Sequence, residues 1–303
     1  MKCSFCSKKA IYYAKYNQNF YCKRHFEDFI KEKVLKTIQR FKLARKGEKI
    51  GISLSGGKDS TTCLLILKEI GRYKIKGLNL EEGIGKYEEY LKKFIKEIER
   101  REGIDVARIS FREFFGKTLD EMVAIAKKKK LPYSACSICG VLRRYLINFL
   151  AKKERVNKIA TGHTLNDEVQ TFFMDLSSNN IKPLTRLGPR TGVWRIRGFV
   201  QRIKPLFFVY EKESTTYILS KGYRPPLNLC PYAPLGYRWK IRLALYKYEE
   251  KNPGFHLKIG EFIARFQRKF RKKPKIRKCE ICGQPTNREI CKACEILARL
   301  GIY

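Results

Sequence analysis

A glycine-rich hexapeptide between an apolar strand and an apolar helix constrains the fold of this chain more than any other feature. Residues 49–54 read KIGISL, residues 55–60 read SGGKDS, and residues 61–70 continue with the apolar pattern of a buried helix. A turn of this kind brings backbone N–H groups and a helix N-terminus together, and both attract phosphate, although the spacing is not that of a Walker A loop. The groups it offers to a pyrophosphate are two glycine amides, two hydroxyls and one ammonium, from Gly56, Gly57, Ser55, Ser60 and Lys58.

Strands and helices alternate along the first half of the chain, which is typical of a parallel sheet covered by helices. Further strands are predicted near residues 73–80, 106–109 and 158–161, and the last of these is expected to complete the core sheet. The spacing of apolar residues predicts helices at residues 26–41, 87–101, 118–130, 141–153, 169–176, 211–221, 238–250 and 259–270, followed by a basic linker at 271–275. The predicted fold class is therefore α/β, with a Rossmann-like core.

The charge of the chain is strongly one-sided. Among 303 residues, 66 Lys and Arg stand against 29 Asp and Glu, a formal net charge of +37. Each Lys or Arg placed against a phosphate releases a counterion, so this excess favours a nucleic-acid partner. The charged surface of a thermophile would raise Glu together with Lys, which is not the case here. No apolar run reaches the roughly 18 residues of a membrane span, and the N-terminus has no apolar secretory signal, so we expect neither a membrane nor a secreted protein.

Two groups of four potential zinc ligands lie at the two ends of the chain. The first reads C-x2-C, then fifteen residues, then C-x2-H, and the second pairs one C-x2-C with another. Each group offers the four nitrogen or sulfur ligands that tetrahedral zinc prefers, and the first has too little apolar surface to fold without metal. We therefore predict two structural zinc ribbons. Their ligands are Cys3, Cys6, Cys22 and His25, and Cys279, Cys282, Cys291 and Cys294.

The remaining cysteines lie in the middle of the chain. Cys136 and Cys139 form a CxxC, Cys230 is the only sensible third thiol, and Cys63 lies on an apolar helix face where we expect it to be core. The CxxC can be interpreted either as half of a zinc site or as a redox dithiol. The other CxxC pairs already belong to the terminal groups, so no second pair is left to complete a zinc site. Eleven cysteines without a secretory signal indicate a reducing compartment, the cytoplasm.

Taken in order, these motifs resemble the TtuA-type tRNA 2-thiouridine synthetases, which belong to the TtcA/TtuA group of PP-loop (N-type) ATP pyrophosphatases. The resemblance covers essentially the whole chain: a ribbon, SGGKDS, CxxC followed by Gly140, Gly162-His163 with Asp167, the lone Cys230 and a second ribbon. It implies that the C2 oxygen of a tRNA uridine, in the T-loop, attacks the α-phosphate of ATP with the help of Mg²⁺. Pyrophosphate leaves, and sulfur then displaces AMP.

The resemblance also implies roles for individual residues. Asp59 and Asp167 would lie near the reacting phosphate. Where some relatives have Lys, this chain has Arg143 and Arg144, either of which keeps a positive charge near phosphate, and we expect Arg143 to take this role. Cys136, Cys139 and Cys230 would hold a [4Fe-4S] cluster with one iron left free to bind sulfur. A core position is the alternative for His163. The residues expected to contact the nucleotide are Ser53, Ser55, Gly56, Gly57, Lys58, Asp59, Ser60, Leu80, Gly162 and His163.

The expected organisation is a zinc ribbon at residues 1–26, a PP-loop catalytic domain at 27–274 and a second ribbon at 275–303. The partners that the resemblance implies are tRNA, a ubiquitin-like sulfur carrier with a C-terminal thiocarboxylate, and a second copy of the chain in a homodimer.

Four other functions are compatible with parts of the pattern. A wobble-uridine thiolase of the same group shares these motifs. A thiolase without iron would carry a persulfide on Cys136 or Cys230 and close a disulfide after sulfur transfer. A PP-loop ligase for a small metabolite would leave the charge unexplained, and no glutaminase domain is evident. A non-catalytic zinc-ribbon RNA-binding scaffold would not require the intact Asp59 and Asp167.

Overall fold

A five-stranded parallel sheet forms the centre of the molecule. The computed structural model describes residues 1–179, 181–184, 186–191, 196–226, 230–233, 237–269 and 275–302. Residues 271–274 of the predicted linker at 271–275, which end the predicted catalytic domain, lie outside the described residues. The strand order is β5-β4-β3-β6-β7, and every neighbouring pair is parallel. The strands are β3 (Lys49–Ser53), β4 (Lys74–Glu81), β5 (Val106–Ser110), β6 (Lys158–Ala160) and β7 (Gln201–Ile203).

The fifth strand corrects the prediction that residues 158–161 complete the sheet. β7 pairs with β6, Ile159 opposite Arg202, and forms the edge of the sheet. The strand has only three residues and carries an arginine at its centre, so neither its length nor its hydrophobicity marked it as a core strand.

Helices cover both faces of the sheet. One face packs against α1 (Lys23–Phe41), α2 (Lys58–Ile70), α3 (Gly85–Glu102) and α9 (Glu211–Ser220), and the other against α4 (Phe111–Phe115), α5 (Leu119–Lys128), α6 (Ala135–Lys153) and α12 (Lys292–Leu300). Beyond β6, α7 (Leu165–Ser177) packs with α8 (Ile181–Leu184), α10 (Tyr237–Lys251) and α11 (Phe255–Lys269). No helix in the described ranges is both long and apolar enough to cross a membrane.

The terminal cysteine groups lie on small hairpins that are continuous with the core. At the N-terminal end, β1 (Tyr12–Ala14) pairs with β2 (Asn19–Tyr21), and the side chains of Ala14 and Tyr21 join the apolar cluster of α1. At the C-terminal end, β8 (Arg277–Lys278) pairs with β9 (Pro285–Thr286), and α12 packs its apolar face against α5 and α6. Each hairpin therefore lies on one face of the central sheet.

Helix α6 begins earlier than the sequence pattern predicts. It starts at Ala135, capped by the Ser134 hydroxyl, which accepts a hydrogen bond from the Ser137 N–H. Cys136 and Cys139 therefore lie in the first turns of the helix, on one face, and not in a loop before it. Cys63, by contrast, is fully buried in the core, as predicted.

Candidate active site

The hexapeptide forms a tight turn at the carboxyl end of β3. Ser53 is the last residue of the strand, and Gly57 is the N-cap of α2, so the free N–H groups of the helix point out of the turn. Gly56 has φ +77°, and a Cβ there would lie 3.0 Å from the Leu91 side chain. Both the backbone conformation and the lack of space therefore disfavour any larger residue at this position. The hydroxyl of Ser60 accepts a hydrogen bond from the Ser55 N–H at 3.2 Å and donates to the Gly57 carbonyl at 3.0 Å.

Gly162 lies against this turn from the neighbouring strand. It follows the end of β6, and a Cβ on it would be 2.5 Å from the backbone nitrogen of Ser60 and 2.6 Å from the carbonyl carbon of Asp59. Both atoms belong to backbone that cannot move aside without shifting the start of α2. The two predicted nucleotide-binding segments are therefore in direct contact.

Replacing Gly162 by alanine is expected to abolish tight ATP binding and to lower stability by about 1–3 kcal/mol, because the added methyl group overpacks a backbone contact. Calorimetric titration with ATP and thermal denaturation measure the two effects. Gly140→Ala is the matched control, because a Cβ there would meet only the end of the Arg144 side chain, at 3.4 Å. Normal ATP affinity in the Gly162→Ala variant would contradict the placement of the nucleotide at this contact.

Two carboxylates face each other across the ends of β3 and β6. Oδ2 of Asp59 accepts a hydrogen bond from Lys58 Nζ at 2.6 Å, and Oδ2 of Asp167 accepts from the N–H and hydroxyl of Thr164, both at 2.9 Å. Burial raises the pKa of Asp59, and the neighbouring Asp167 carboxylate adds to the increase, although Lys58 acts against it. Among the described residues, no group makes a hydrogen bond of normal geometry to the buried Oδ1 of Asp59, although the Ser214 hydroxyl is close enough to this carboxylate to lower its pKa. A cation bound here would take the place of that hydroxyl.

A group of residues from α9 and α10 completes this side of the site and was missed in the sequence. Glu211, the first residue of α9, accepts hydrogen bonds from Lys58 Nζ at 2.9 Å, from Arg242 and from the hydroxyl of Tyr246. One turn earlier on α10, Arg238 lies 3.7 Å from Asp167. No local motif marks these residues, because the fold brings them to the turn from more than 150 positions away.

Two other predicted nucleotide contacts, His163 and Leu80, lie beside the phosphate-binding turn and not within it. His163 is exposed, and its Nδ1 lies 2.9 Å from the Thr161 hydroxyl, so the alternative of a core histidine is wrong. Leu80 is the penultimate residue of β4 and packs its side chain into the core, which leaves only its backbone near the edge.

The three middle cysteines converge near the end of β4. Cys136 Sγ lies 3.8 Å from the Tyr232 carbonyl, two residues beyond Cys230, and the Tyr232 hydroxyl is anchored to Asp120 at 2.7 Å. Burial raises the pKa of Cys139 to about 12 and also raises the pKa of Cys230, in each case with a contribution from the neighbouring cysteines. A cluster would bind these residues as thiolates, so its binding would release their protons.

Arg143 lies beside these thiols and is paired with an acid. Its Nε is 2.9 Å from Oε1 of Glu82, which directly follows β4, and the carboxylate raises the pKa of the arginine. Burial raises the pKa of Glu82, and Arg143 opposes this. The arginine is thus charged and oriented at the same edge as the cysteines.

The chemistry of the donor sets separates the terminal groups from the middle one. In each terminal group, four ligand atoms lie within 4.8 Å of one another, which suits one tetrahedral zinc ion. Burial opposes ionisation of Cys3 and Cys279, but hydrogen bonds from the backbone lower both pKa values to about 6, so these thiols are ready to bind metal. The three middle thiols form no such compact group within the described ranges, and a cluster that takes one thiolate per iron fits them better than a single ion.

Comparison with known proteins agrees with this geometry. A family model described as a PP-loop domain matches residues 27–224. A probable sulfurtransferase of Methanocaldococcus jannaschii is 36% identical over 99% of this chain and 88% of its own length. A tRNA-5-methyluridine(54) 2-sulfurtransferase of Pyrococcus horikoshii is 32% identical over 97% of this chain and 93% of its own.

One solved structure matches the whole fold. It is the U34-tRNA thiolase NcsA from Methanococcus maripaludis with its [4Fe-4S] cluster, which is 30% identical and superimposes with a TM-score of 0.84, covering 100% of this chain and 97% of that one. The fold, the phosphate-binding turn and these relatives lead to one conclusion: the chain belongs to the PP-loop family of tRNA-thiolating sulfurtransferases.

Proposed function

We propose that this protein adenylates the C2 oxygen of a tRNA uridine, at position 54 in the T-loop, and replaces that oxygen with sulfur. The observation that carries the proposal is the meeting of two chemically different groups at one edge of the sheet. The phosphate-binding turn with Asp59 follows β3, and the cysteine group adjoins Glu82 at the end of β4, the next strand. Ligands of open α/β sheets bind at this carboxyl edge.

The position of α6 supports the same conclusion. The Lys49 ammonium, at the start of β3, donates a hydrogen bond to the carbonyl of Glu154, at the end of α6. The carboxyl end of α6 therefore lies at the amino edge of the sheet. Because α6 is 19 residues long and runs back along the sheet, Cys136 and Cys139 in its first turns lie at the carboxyl edge, with the nucleotide turn.

In the first half-reaction, the turn and the two acids act on ATP. The amides of residues 55–57, the Ser55 and Ser60 hydroxyls and Lys58 hold the leaving pyrophosphate, where fixed donors stabilise charge as it develops. Asp59 and Asp167 would hold Mg²⁺, which when bound supplies Lewis-acid polarisation of the phosphate. The uridine oxygen bonds to the α-phosphorus while the bond to pyrophosphate breaks. Lys58 must then exchange part of its contact with Glu211 for the phosphates.

In the second half-reaction, sulfur bonds to C2 and the C2–O bond breaks, so that the former uridine oxygen leaves with AMP. Cys136, Cys139 and Cys230 would hold the [4Fe-4S] cluster, which when bound would hold the incoming sulfide at this edge until it reacts. Arg143 contributes positive charge beside the departing phosphate. The two terminal groups would each hold a structural Zn²⁺, and their packing against α1 and α6 suits that role.

The proposal extends to partners and compartment. A ubiquitin-like carrier with a C-terminal thiocarboxylate would deliver the sulfur, and the protein would work as a homodimer. The cytoplasm would supply both tRNA and a reducing environment for the eleven cysteines, none of which forms a disulfide. Uridine 34 is the second candidate target, because the NcsA structure that matches this fold is a U34 thiolase.

The test uses full-length protein purified without oxygen, with ATP, sulfide and an unmodified tRNA transcript. We expect tRNA-dependent pyrophosphate release and one 2-thiouridine per tRNA by mass spectrometry of the digested product. A transcript with cytidine at position 54 should lose the thiolation, and one with cytidine at position 34 should keep it. The reverse pattern would favour the wobble-uridine reaction, and pyrophosphate release independent of tRNA would favour a small-molecule ligase.

A further inference from the structure

Three arginines from three separate elements lie together beside the CxxC group. Arg144 is on α6, Arg186 follows α8, and Arg202 is on β7. The N–H of Val200, just before β7, donates to Oδ1 of Asn148 on α6 at 2.9 Å, which holds the strand of Arg202 against the helix of Arg144. Arg144 is repelled electrostatically by both of the others, and we call the three the arginine cluster. Arg144 and Arg186 are exposed, and Arg202 is half-buried. In the part of the chain that the structure describes, none of the three guanidinium groups has an acidic partner, and the sequence places no Asp or Glu at the remaining positions.

Arg202 is fixed in this arrangement by the sheet. Its strand neighbour Ile203 points into the apolar cluster of α1 and α2, so Arg202 points to the opposite face, toward α6. The arginine is half-buried at a position where its partner in the register, Ile159, is a core residue. Burial lowers the pKa of Arg202 to about 10, and the charge of Arg144 adds to this.

Arg144 connects the arginine cluster to the reaction site. Its Nη1 lies over Gly140, 3.4 Å from where a Cβ would be, directly after the CxxC. The neighbouring Cys139 offsets part of the charge of Arg144 when it is ionised. No comparable group offsets the charge of Arg202 within the described structure.

Another basic surface, at the opposite edge of the sheet, has an ordinary explanation. Lys42, Arg45, Lys46 and Arg72 line a cavity of about 610 Å³. The carboxyl ends of α1 and α2 both lie there, at Lys42 and Gly71, and the negative end of a helix dipole attracts cations. Arg144 and Arg202 follow no helix end, and Arg186 follows only the four-residue α8, so helix dipoles do not account for the arginine cluster. Arg144 and Arg186 are exposed, so an external anion can reach the arginine cluster.

We propose that the arginine cluster binds a backbone phosphodiester of the tRNA, next to the nucleotide being modified. The inference rests on the proposed function, because the target uridine must reach both Asp59 and the cysteines, which brings its flanking phosphates to Arg144 and Arg202. Guanidinium groups bind phosphate through paired hydrogen bonds, and several converging arginines suit a polyanionic strand. An ATP phosphate has the same chemistry, but the turn after β3 already provides its donors.

The test compares Arg202→Gln and Arg144→Gln with Arg45→Gln, which removes the same charge at the opposite edge. Affinity for the unmodified tRNA transcript is measured by fluorescence anisotropy over a range of salt concentrations, ATP affinity by calorimetry, and stability by thermal denaturation. We expect either cluster variant to weaken tRNA binding roughly tenfold or more, and to reduce the salt slope by about 1. ATP affinity should not change. The free Arg202→Gln protein should melt at the same temperature as wild type or higher, since a repulsive charge is removed.

The possible results separate this inference from the proposed function. Unchanged tRNA affinity and salt slope in both cluster variants would overturn the inference alone. So would weaker ATP binding with normal tRNA binding, which would assign the site to the nucleotide, or an equal loss in Arg45→Gln, which would show a general charge effect. A lower melting temperature with unchanged tRNA binding would show a structural arginine. Absence of tRNA binding by the wild-type chain would instead overturn the proposed function.

Discussion

Replacing Asp59 by asparagine is expected to reduce tRNA-dependent pyrophosphate release by at least about a hundredfold, a typical loss when a group that stabilises transition-state charge is removed. The substitution keeps the shape of the side chain and removes the charge. Oδ1 of Asp59 is the buried oxygen at which a cation would bind, and its partner acid, Asp167, already accepts two hydrogen bonds from Thr164. Asp167 alone should therefore not replace it.

The fold should tolerate this change. Burial already opposes the charged form of Asp59, and Lys58 keeps a second carboxylate partner in Glu211 at 2.9 Å. Pyrophosphate release is measured with a coupled assay, and the melting temperature confirms folding. Asp105→Asn is the matched control, because this exposed carboxylate lies at the amino edge of the sheet, where it pairs only with Lys76 among described residues. Wild-type release by the Asp59→Asn protein would remove Asp59 from the reaction, whereas a wild-type protein that binds tRNA and releases no pyrophosphate would favour a non-catalytic RNA-binding scaffold.

The parts of the molecule that the sequence predicts well are those in which local spacing determines geometry. A strand, a glycine-rich turn and a helix in immediate succession define the phosphate-binding site, because the backbone of residues 49–70 alone forms it. The terminal ligand groups are compact for the same reason, since each short hairpin brings a C-x2-C pair close to a second ligand pair at the start of the following helix. Gly162 was predicted near the nucleotide from family resemblance, and its contact with Ser60 gives the physical reason.

The parts that the sequence did not predict depend on tertiary contacts. Helices α9 and α10 bring three charged residues to the site only after the chain has folded: Glu211, Arg238 and Arg242. In the sequence, each of them looks like an ordinary surface charge. The edge strand β7 was not predicted because a half-buried arginine, Arg202, interrupts its apolar pattern. The role of Arg202 can be inferred only when its neighbours in the fold are known. In both cases the sequence does not show which charged residues the fold brings to the same edge of the sheet.

Replacing Cys230 by alanine is expected to separate the two half-reactions. Iron and acid-labile sulfide should be lost and 2-thiouridine should fall to background, because two cysteines on one helix cannot hold a cluster that requires three thiolates. Pyrophosphate release should persist, since Cys230 makes no contact with the turn after β3 within the described structure. Its loop is held independently, by the hydrogen bond from Tyr232 to Asp120. Zinc should remain at two per chain, because both terminal groups are complete.

Metal and sulfide analysis of protein purified without oxygen distinguishes the alternatives for the three thiols. Cys63→Ala is the matched control, since it also removes one thiol, from a fully buried core position, and should leave iron and thiolation unchanged. Iron retained in Cys230→Ala would show that this cysteine is not a ligand. A wild-type protein that thiolates tRNA without iron, even after reconstitution, would favour a persulfide on the same thiols. Zinc above two per chain in the wild type, falling to two in Cys230→Ala, would instead make the middle cysteines a third structural site and would weaken the assignment of sulfur transfer to this edge.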